Sequence, residues 1–320
     1  MTTRRVLLAA AAATLAAPRV ARAAWPADRA IEVIVPFPPG GGVDNMVRPI
    51  VHFVTPRLRG ARFAIVNRAG AAGQIGFEAL FNAAPDGYTL GALTNTAMHA
   101  IAVERTPRYR PEDFTYIANV VDDPGGFWVR ADSPWRTLDD LKEAARRNPE
   151  GIGVGTAGIG SDDHLLQLGF EEAAGVRLLH VPYNGTAPVQ RDVLGGSLPI
   201  GSFNMSEGVA LMREGRVRCL AQGGAQRWAP TGEVPTFRDQ GYDVIGGSAR
   251  GIGAPPGLPE DIRLALEAAF RDALADPALI ADADRTGLPL RPLVGRDYRE
   301  MMRADHATLQ GLWQRRPWRS

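Results

Sequence analysis

Short β-branched runs, each followed by a stretch of helical spacing, recur along this chain and leave it few folds to choose from. Ile31 to Pro36 is one such run, and beyond Asp44 the apolar residues Met46, Val47, Ile50, Val51 and Val54 return at helical spacing. Ala64 to Val66 and Thr89 to Leu93 repeat the strand signal around a helical stretch from Gln74 to Asn82. The rhythm then restarts. Leu138 to Arg147 is amphipathic with Thr137 placed to cap it, Ile152 to Gly155 is strand-like, and Asp163 to Ala174 is helical up to Gly175. Leu178 to Val181 and Leu198 to Phe203 flank a helical stretch from Ala187 to Leu194, and Pro259 to Ala275 reads as a long helix. No period of 20 to 50 residues recurs, which argues against a solenoid. With 320 residues, 45% of them hydrophobic and 22% charged, the chain is long enough for two α/β lobes, each with its own core.

The first 23 residues read as an export signal. Arg4 and Arg5 precede an apolar stretch from Val6 to Ala17, and Ala21-Arg22-Ala23 offers a small-x-small cleavage site. The apolar run is shorter than the roughly 20 residues a membrane span needs. The arginine pair also fits the twin-arginine route, although an ordinary export signal uses the same charges. Cleavage after Ala23 removes Arg4, Arg5, Arg19 and Arg22 and no acid, so the +1 charge of the whole chain becomes −3. That balance argues against nucleic acid as a partner. The single cysteine, Cys219, cannot form an internal disulfide, lies far from the cleavage site where a lipid anchor would attach, and is expected to pack inside.

Two corners carry the functional signal. In IVPFPPGGGVD, from Ile34 to Asp44, a strand stops at two prolines and three glycines before a helix begins. The first N–H groups of a helix have no internal partner and carry the positive end of its dipole. Glycines let an anion approach them without a Cβ in the way. Pro38 and Pro39 lack N–H groups and aim the loop, while Asp44 is placed to accept from backbone N–H groups at the helix start. The second corner, Gly151 to Ser161, again runs from strand through glycines into a helix and adds hydroxyls at Thr156 and Ser161. Two such corners suggest a cleft closing on one anion. Gly153, Gly155 and Gly158 also satisfy the dinucleotide spacing, but Arg177 to His180 stands where an acid should hold the ribose, so no cofactor is expected.

Several separate blocks resemble the Bug family, the solute receptors of tripartite tricarboxylate transporters. VPFPPGGGVDNMVR at Val35 to Arg48, NRAGAAGQIG at Asn67 to Gly76 and APDGYTL at Ala84 to Leu90 are similar to its first three blocks. YRPEDFTYI, TAGIGSDDH, HVPYNGTAP, VPTFRDQGY and GIGAPPGLP continue the match in the family's order. The resemblance implies a type II-like, two-lobed periplasmic binding protein, each lobe a mixed sheet flanked by helices. Residues 24–123 with 249–320 would form one lobe and 124–248 the other. It implies a receptor, not an enzyme, that captures a small carboxylate and serves membrane permease subunits as a freely diffusing monomer. Carried over by motif, Phe37, Pro39, Gly40, Gly41 and Asp44 line one side with Thr94 and Asn95 nearby. Thr156, Ala157, Gly158, Gly160 and Ser161 line the other, and Asn204 is a further cleft residue.

The departures set further expectations. Gly42 and Val43 stand where that family often has hydroxyl residues, so the first loop should bind through backbone and leave Thr156 and Ser161 to supply side-chain donors. Pro49 would shift the entry of the first helix. Ser248 to Gly251 lacks a tryptophan often found there, and Arg250 could pair with a ligand carboxylate but is expected at the surface, where most arginines lie. Asp162 and Asp163 suit a helix start and disfavour a polyanion. Asp122-Asp123 reads as a solvated turn and Asp139-Asp140 as a helix first turn. Adjacent residues on a helix do not converge on one ion, so Asp162-Asp163-His164 does not suggest a metal; His164 is expected to brace its loop, while His52, His99 and His306 share no spacing. The competing reading is an exported α/β enzyme using Asp44 or His164 as acid or base, or a receptor domain feeding a sensor.

Overall fold

The computed structural model describes residues 25–315, 317 and 318, so the expected export signal lies outside the described residues. In chain order the elements are β1 (Ile31–Val35), α1 (Gly42–Val54), β2 (Phe63–Asn67), α2 (Gln74–Phe81), β3 (Thr89–Thr94), α3 (Asn95–Glu104) and β4 (Thr115–Arg130). Then come α4 (Leu138–Arg147), β5 (Gly153–Thr156), α5 (Asp162–Ala174), β6 (Leu179–Pro182), α6 (Thr186–Gly195), β7 (Ile200–Asn204), α7 (Met205–Arg213) and β8 (Val217–Gln222). The chain closes with β9 (Gly247–Ala254), α8 (Glu260–Leu274), α9 (Pro277–Thr286), β10 (Leu290–Val294) and α10 (Arg296–Arg315).

The strands run in the order β2-β1-β3-β9-β4-β7-β5-β6, with β10 and β8 also paired to β4. β1 pairs β2 and β3 in parallel, and β5 pairs β6 and β7 in parallel, as expected for strands joined through helices. β4 is the element common to both halves. Its first residues pair antiparallel with β9 and β10, and from Gly125 onward it pairs with β7 and β8. Separate apolar cores lie on the two sides. Val33, Met46, Ile50 and Phe270 belong to one, and Phe127, Leu141, Phe170 and Phe237 to the other. The protein is therefore two α/β lobes sharing one long strand. A small apolar cluster of Ala100, Leu309 and Trp318 meets Ile159 of the second corner and Leu165 and Leu168 of α5, packing α3 and α10 against that corner.

Three expectations change here. Asp122-Asp123 is not a turn but the middle of the 16-residue β4, where successive side chains leave on opposite faces: Asp122 pairs with Arg291, and Asp123 is fully buried. Helix entry is not shifted by Pro49. α1 begins at Gly42 and carries the proline inside, its apolar face of Met46, Val47, Ile50 and Val54 holding it in place despite the lost hydrogen bond. His99 and His306, far apart in sequence, meet with ring centroids 5.0 Å apart, and burial holds His99 down to about 3. Asp139 and Asp140 do open α4, with Thr137 and Asp140 forming a reciprocal cap. Cys219 is buried in β8, and burial pushes its thiol well up, so it packs as a small apolar group.

Candidate ligand cleft

Four helix starts face one cleft between the lobes: Gly42 and Val43 of α1, Asp162 and Asp163 of α5, Thr186 of α6 and Glu207 of α7 all line it. Thr94, Asn204, Ser248 and Arg250 complete its lining. The enclosed free space is about 40 Å³, room for a few waters at roughly 10–15 Å³ each, because protein side chains fill the middle.

At the first corner, Gly40 takes φ +82°, a left-handed conformation that glycine adopts without strain, and the chain turns so that its N–H donates to Asp44 Oδ2 at 3.0 Å. The same carboxylate accepts from Arg48 at 2.8 and 2.9 Å and from Asn67 Nδ2 at 3.1 Å. Burial works to raise the Asp44 carboxyl, but Arg48, the Gly40 N–H and Asn67 together hold it below the usual range. Asp44 thus braces the loop from behind. The amide that faces the cleft, Gly42 N–H, donates at 2.8 Å to Glu207 Oε1 of α7. A Cβ at residue 42 would lie 2.1 Å from Arg250 Nη1 and 2.7 Å from Glu207 Oε1, so the missing side chain makes room for these two groups.

The second corner is tied to its own lobe. Thr156 Oγ1 and His180 Nε2 are 2.7 Å apart, and His180 stacks on His164 with centroids 3.7 Å apart. Burial lowers His180 to about 4, leaving the ring neutral. Gly160 N–H donates to His164 Nδ1 at 3.2 Å, so His164 does brace its loop, and Ser161 Oγ accepts from His164 N–H as the cap of α5. The Thr156 hydroxyl, expected to face a ligand, is instead spent on this histidine pair. Ala157 N–H donates to Asp163 Oδ2 at 2.9 Å.

Between the corners stands Arg250, which is buried and not at the surface as expected; it is 3% exposed. Its Nη1 lies 3.1 Å from Asp123 Oδ2, and its Nη2 donates to Asn204 Oδ1. Asn204 Nδ2 donates in turn to Asp162 Oδ2 at 2.9 Å. Burial pushes Asp123 up to about 7 even though Arg250 and Ser206 pull it down. Burial also works against the Arg250 charge, but Asp123, Glu207, Asp162 and Asp163 outweigh it and raise the guanidinium. Thr94 Oγ1, Asp163 Oδ1 and Arg250 Nε are buried with no hydrogen-bond partner among the described residues.

Of the residues named from sequence, Phe37, Gly41, Thr94, Ala157, Ser161 and Asn204 line the cleft. Pro39 and Gly40 are exposed on the outer side of their loop, and Gly158 and Gly160 shape the second loop by positive φ. Asp44 and Thr156 are turned away as described. Asn95 binds Asp305 and the Ala249 N–H, and it borders a wider groove of about 1160 Å³ that reaches the other side of Asp162. Arg250, Asp123 and Glu207 were missed as a group. Their signal was weak: Arg250 sits among small residues in Ser248-Ala249-Arg250-Gly251, a setting that suits a strand interior better than a solvated turn.

The relatives agree with this architecture. Bordetella pertussis BugT is 32% identical over 274 residues, covering 84% of this chain and 83% of that protein. The solved structure of the periplasmic binding protein BugD is 28% identical with a TM-score of 0.84, covering 90% of this chain and 97% of that one. MatC from Rhodopseudomonas palustris, solved with bound malate, is 26% identical with a TM-score of 0.81, covering 89% and 98%. An R. palustris protein solved with adipate is 29% identical with a TM-score of 0.83, covering 91% and 97%. Two α/β lobes meeting at a cleft edged by helix starts define a binding protein of the periplasmic class. Residues 57–303 match the tripartite tricarboxylate transporter family receptor, and the chain belongs to that family.

Proposed function

We propose that this protein captures a small organic carboxylate in the periplasm and hands it to the permease subunits of a tripartite tricarboxylate-type transporter. The observation that carries the reading is the cleft itself, where Arg250 Nε and Thr94 Oγ1 are buried without hydrogen-bond partners among the described residues, between two loop-to-helix corners. Buried donors left unmatched are costly, and a carboxylate supplies the acceptors they lack. The malate and adipate in two structural relatives support the same ligand chemistry. The lobes, taken as residues 24–123 with 249–320 and residues 124–248, close around the ligand by a shift of population toward the state that binds it better. Phe37, Gly41, Ala157, Ser161 and Asn204 contact it, with Gly40, Gly158 and Gly160 setting the loops.

The protein works as a monomer and performs no chemistry on its ligand. Asp44 is bound by four donors and His164 Nδ1 by the Gly160 N–H, so neither is poised as an acid or base. Native mass spectrometry of the protein purified from an exporting host, with thermal-shift measurements on mono-, di-, tri- and aminocarboxylates, is the test. A carboxylate adduct and a raised Tm are expected. Stabilisation by phosphate compounds with none by any carboxylate rejects the reading, and product formation from a bound acid replaces it with the enzyme alternative.

A further inference from the structure

The charges around the cleft do not suit a ligand with two carboxylates. Among the described residues that line it, Arg250 is the one cation, whereas Asp162, Asp163 and Glu207 are acids and Asp123 stands in contact with Arg250. Three of the four helix starts at the cleft already carry the protein's own acids in their first turns, Asp162 and Asp163 on α5, Glu207 on α7 and Asp44 on α1, and α6 alone carries none. The Gly42 N–H is likewise occupied by Glu207, which also accepts from Asn204 N–H and Thr186 Oγ1. A second carboxylate would find no second cation among the described residues here and, of the four helix starts, only that of α6 free of an acid.

An independent observation fixes what is missing. Asp163 is 2% exposed and lines the cleft, and while its Oδ2 is held by the Ala157 N–H, its Oδ1 has no hydrogen-bond partner among the described residues. A carboxylate oxygen only accepts, so its complement is a donor, and a cationic donor is the strongest one. The cleft therefore shows an unmatched acceptor on the α5 side and unmatched donors, Arg250 Nε and Thr94 Oγ1, on the other. We propose that the ligand is a carboxylate that also bears a cationic nitrogen, the nitrogen meeting Asp163 and Asp162 and the carboxylate meeting Arg250 and Thr94. This rests on the carboxylate-receptor reading and narrows it. Burial, Asp162 and Glu207 all push the Asp163 carboxyl upward, a cost that a bound cation relieves.

The test uses matched probes on the full chain: at each length from three to six carbons, the ω-amino acid, the α,ω-diacid and the simple monoacid, together with the α-amino acids, measured by calorimetry. At the length that fits, the amino member should bind at least about tenfold tighter than the diacid, as charge-assisted hydrogen bonds allow. Asp163→Asn, which keeps an acceptor for Ala157 N–H, should shrink that preference about tenfold, and Asp162→Asn should shrink it less. Diacids binding more tightly at every length overturns this inference and leaves the carboxylate receptor standing. An amino preference unchanged in both variants overturns the assignment to these aspartates. Amines without a carboxylate binding as well as the amino acids, or no binding by any member, removes the carboxylate reading as well.

Discussion

The two corners begin alike, with a strand, glycines and an acid at a helix start, yet their acids do opposite things. Asp44 at the first corner is surrounded by donors and its carboxyl is held low, while Asp163 at the second has an oxygen unmatched among the described residues and its carboxyl is pushed high. The residue type is the same and the position on the helix nearly so. The difference comes from what stands opposite: Arg48, Asn67 and the Gly40 N–H crowd Asp44, whereas Asp163 shares its surroundings with Asp162 and Glu207. One corner is finished as a brace, and the other is left for a partner to finish.

The largest expected effect lies between the corners, at Arg250. Arg250→Met leaves Asp123 buried without its cation, which typically costs about 3–5 kcal/mol. Because Asp123 already sits near 7, it can take up a proton when Arg250 is gone, so the loss should fall toward the lower end of that range. The sign of the pH effect follows. A carboxyl raised above its unfolded value of 3.8 loses stability as pH rises toward 7, so the variant should be worst above pH 7 and recover below it. Urea unfolding from pH 5 to 8 reads this, and Asp123→Asn added to Arg250→Met should restore part of the loss. A single variant as stable as the wild type breaks the view of Arg250 as the keystone between the corners.

That pair also marks where the sequence stops being readable. The strand-helix rhythm and both corners are local patterns of apolar spacing, glycine and capping, and β1, β2, β3, α4 and α5 stand within a residue or two of where those patterns put them. Asp123 and Arg250 meet only because β4 and β9 pair antiparallel, and nothing local in Asp122-Asp123 distinguishes a strand crossing two lobes from an acidic turn. Likewise α3 lacks a clean apolar stripe in sequence because it is covered from more than one side, by α10 and by the second corner. The Thr156 hydroxyl was misplaced for the same reason: its partner, His180, comes from the neighbouring strand β6.

Next in size is the pair of substitutions that sets one corner against the other. Asp44→Asn should cost about 1–2 kcal/mol, since it weakens several hydrogen bonds to a buried carboxylate while Arg48 remains half in solvent. Asp163→Asn should leave stability at pH 7 unchanged or higher, because it removes a buried acid crowded by Asp162 and Glu207 that makes no ion pair among the described residues. Asp44, whose folded value is lowered, gives stability that is present above its unfolded value and lost as pH falls through the folded one. The wild type should therefore lose this term in acid and Asp44→Asn should not. Equal destabilisation by the two asparagines would erase the contrast.

A smaller effect tests whether the histidine pair stiffens the second corner. His180 is held near 4 by burial, so the contribution of its neutral ring is present above about 6.5 and is lost as pH falls toward 4. His99 titrates in the same direction, so the comparison must be with His180→Asn. At pH 5 the wild type should have lost on the order of 1 kcal/mol more than that variant, after allowance for the ring's partial exposure. Parallel pH curves for the two proteins would mean that the stack does not hold the loop.

The smallest effect separates the two hydroxyls of the second corner. Thr156→Val keeps the shape of the side chain and deletes its hydrogen bond to His180, at a cost of about 1 kcal/mol. Ser161→Ala removes the cap of α5 at a similar cost. Ser161 lines the cleft and Thr156 does not, so their effects on ligand affinity should differ although their effects on stability match. Thr156→Val is expected to leave the Kd for the best carboxylate within about twofold, and Ser161→Ala to weaken it severalfold, roughly one hydrogen bond's worth. The opposite ranking would return the Thr156 hydroxyl to the ligand and require the second loop to turn it out of its contact with His180 when the lobes close.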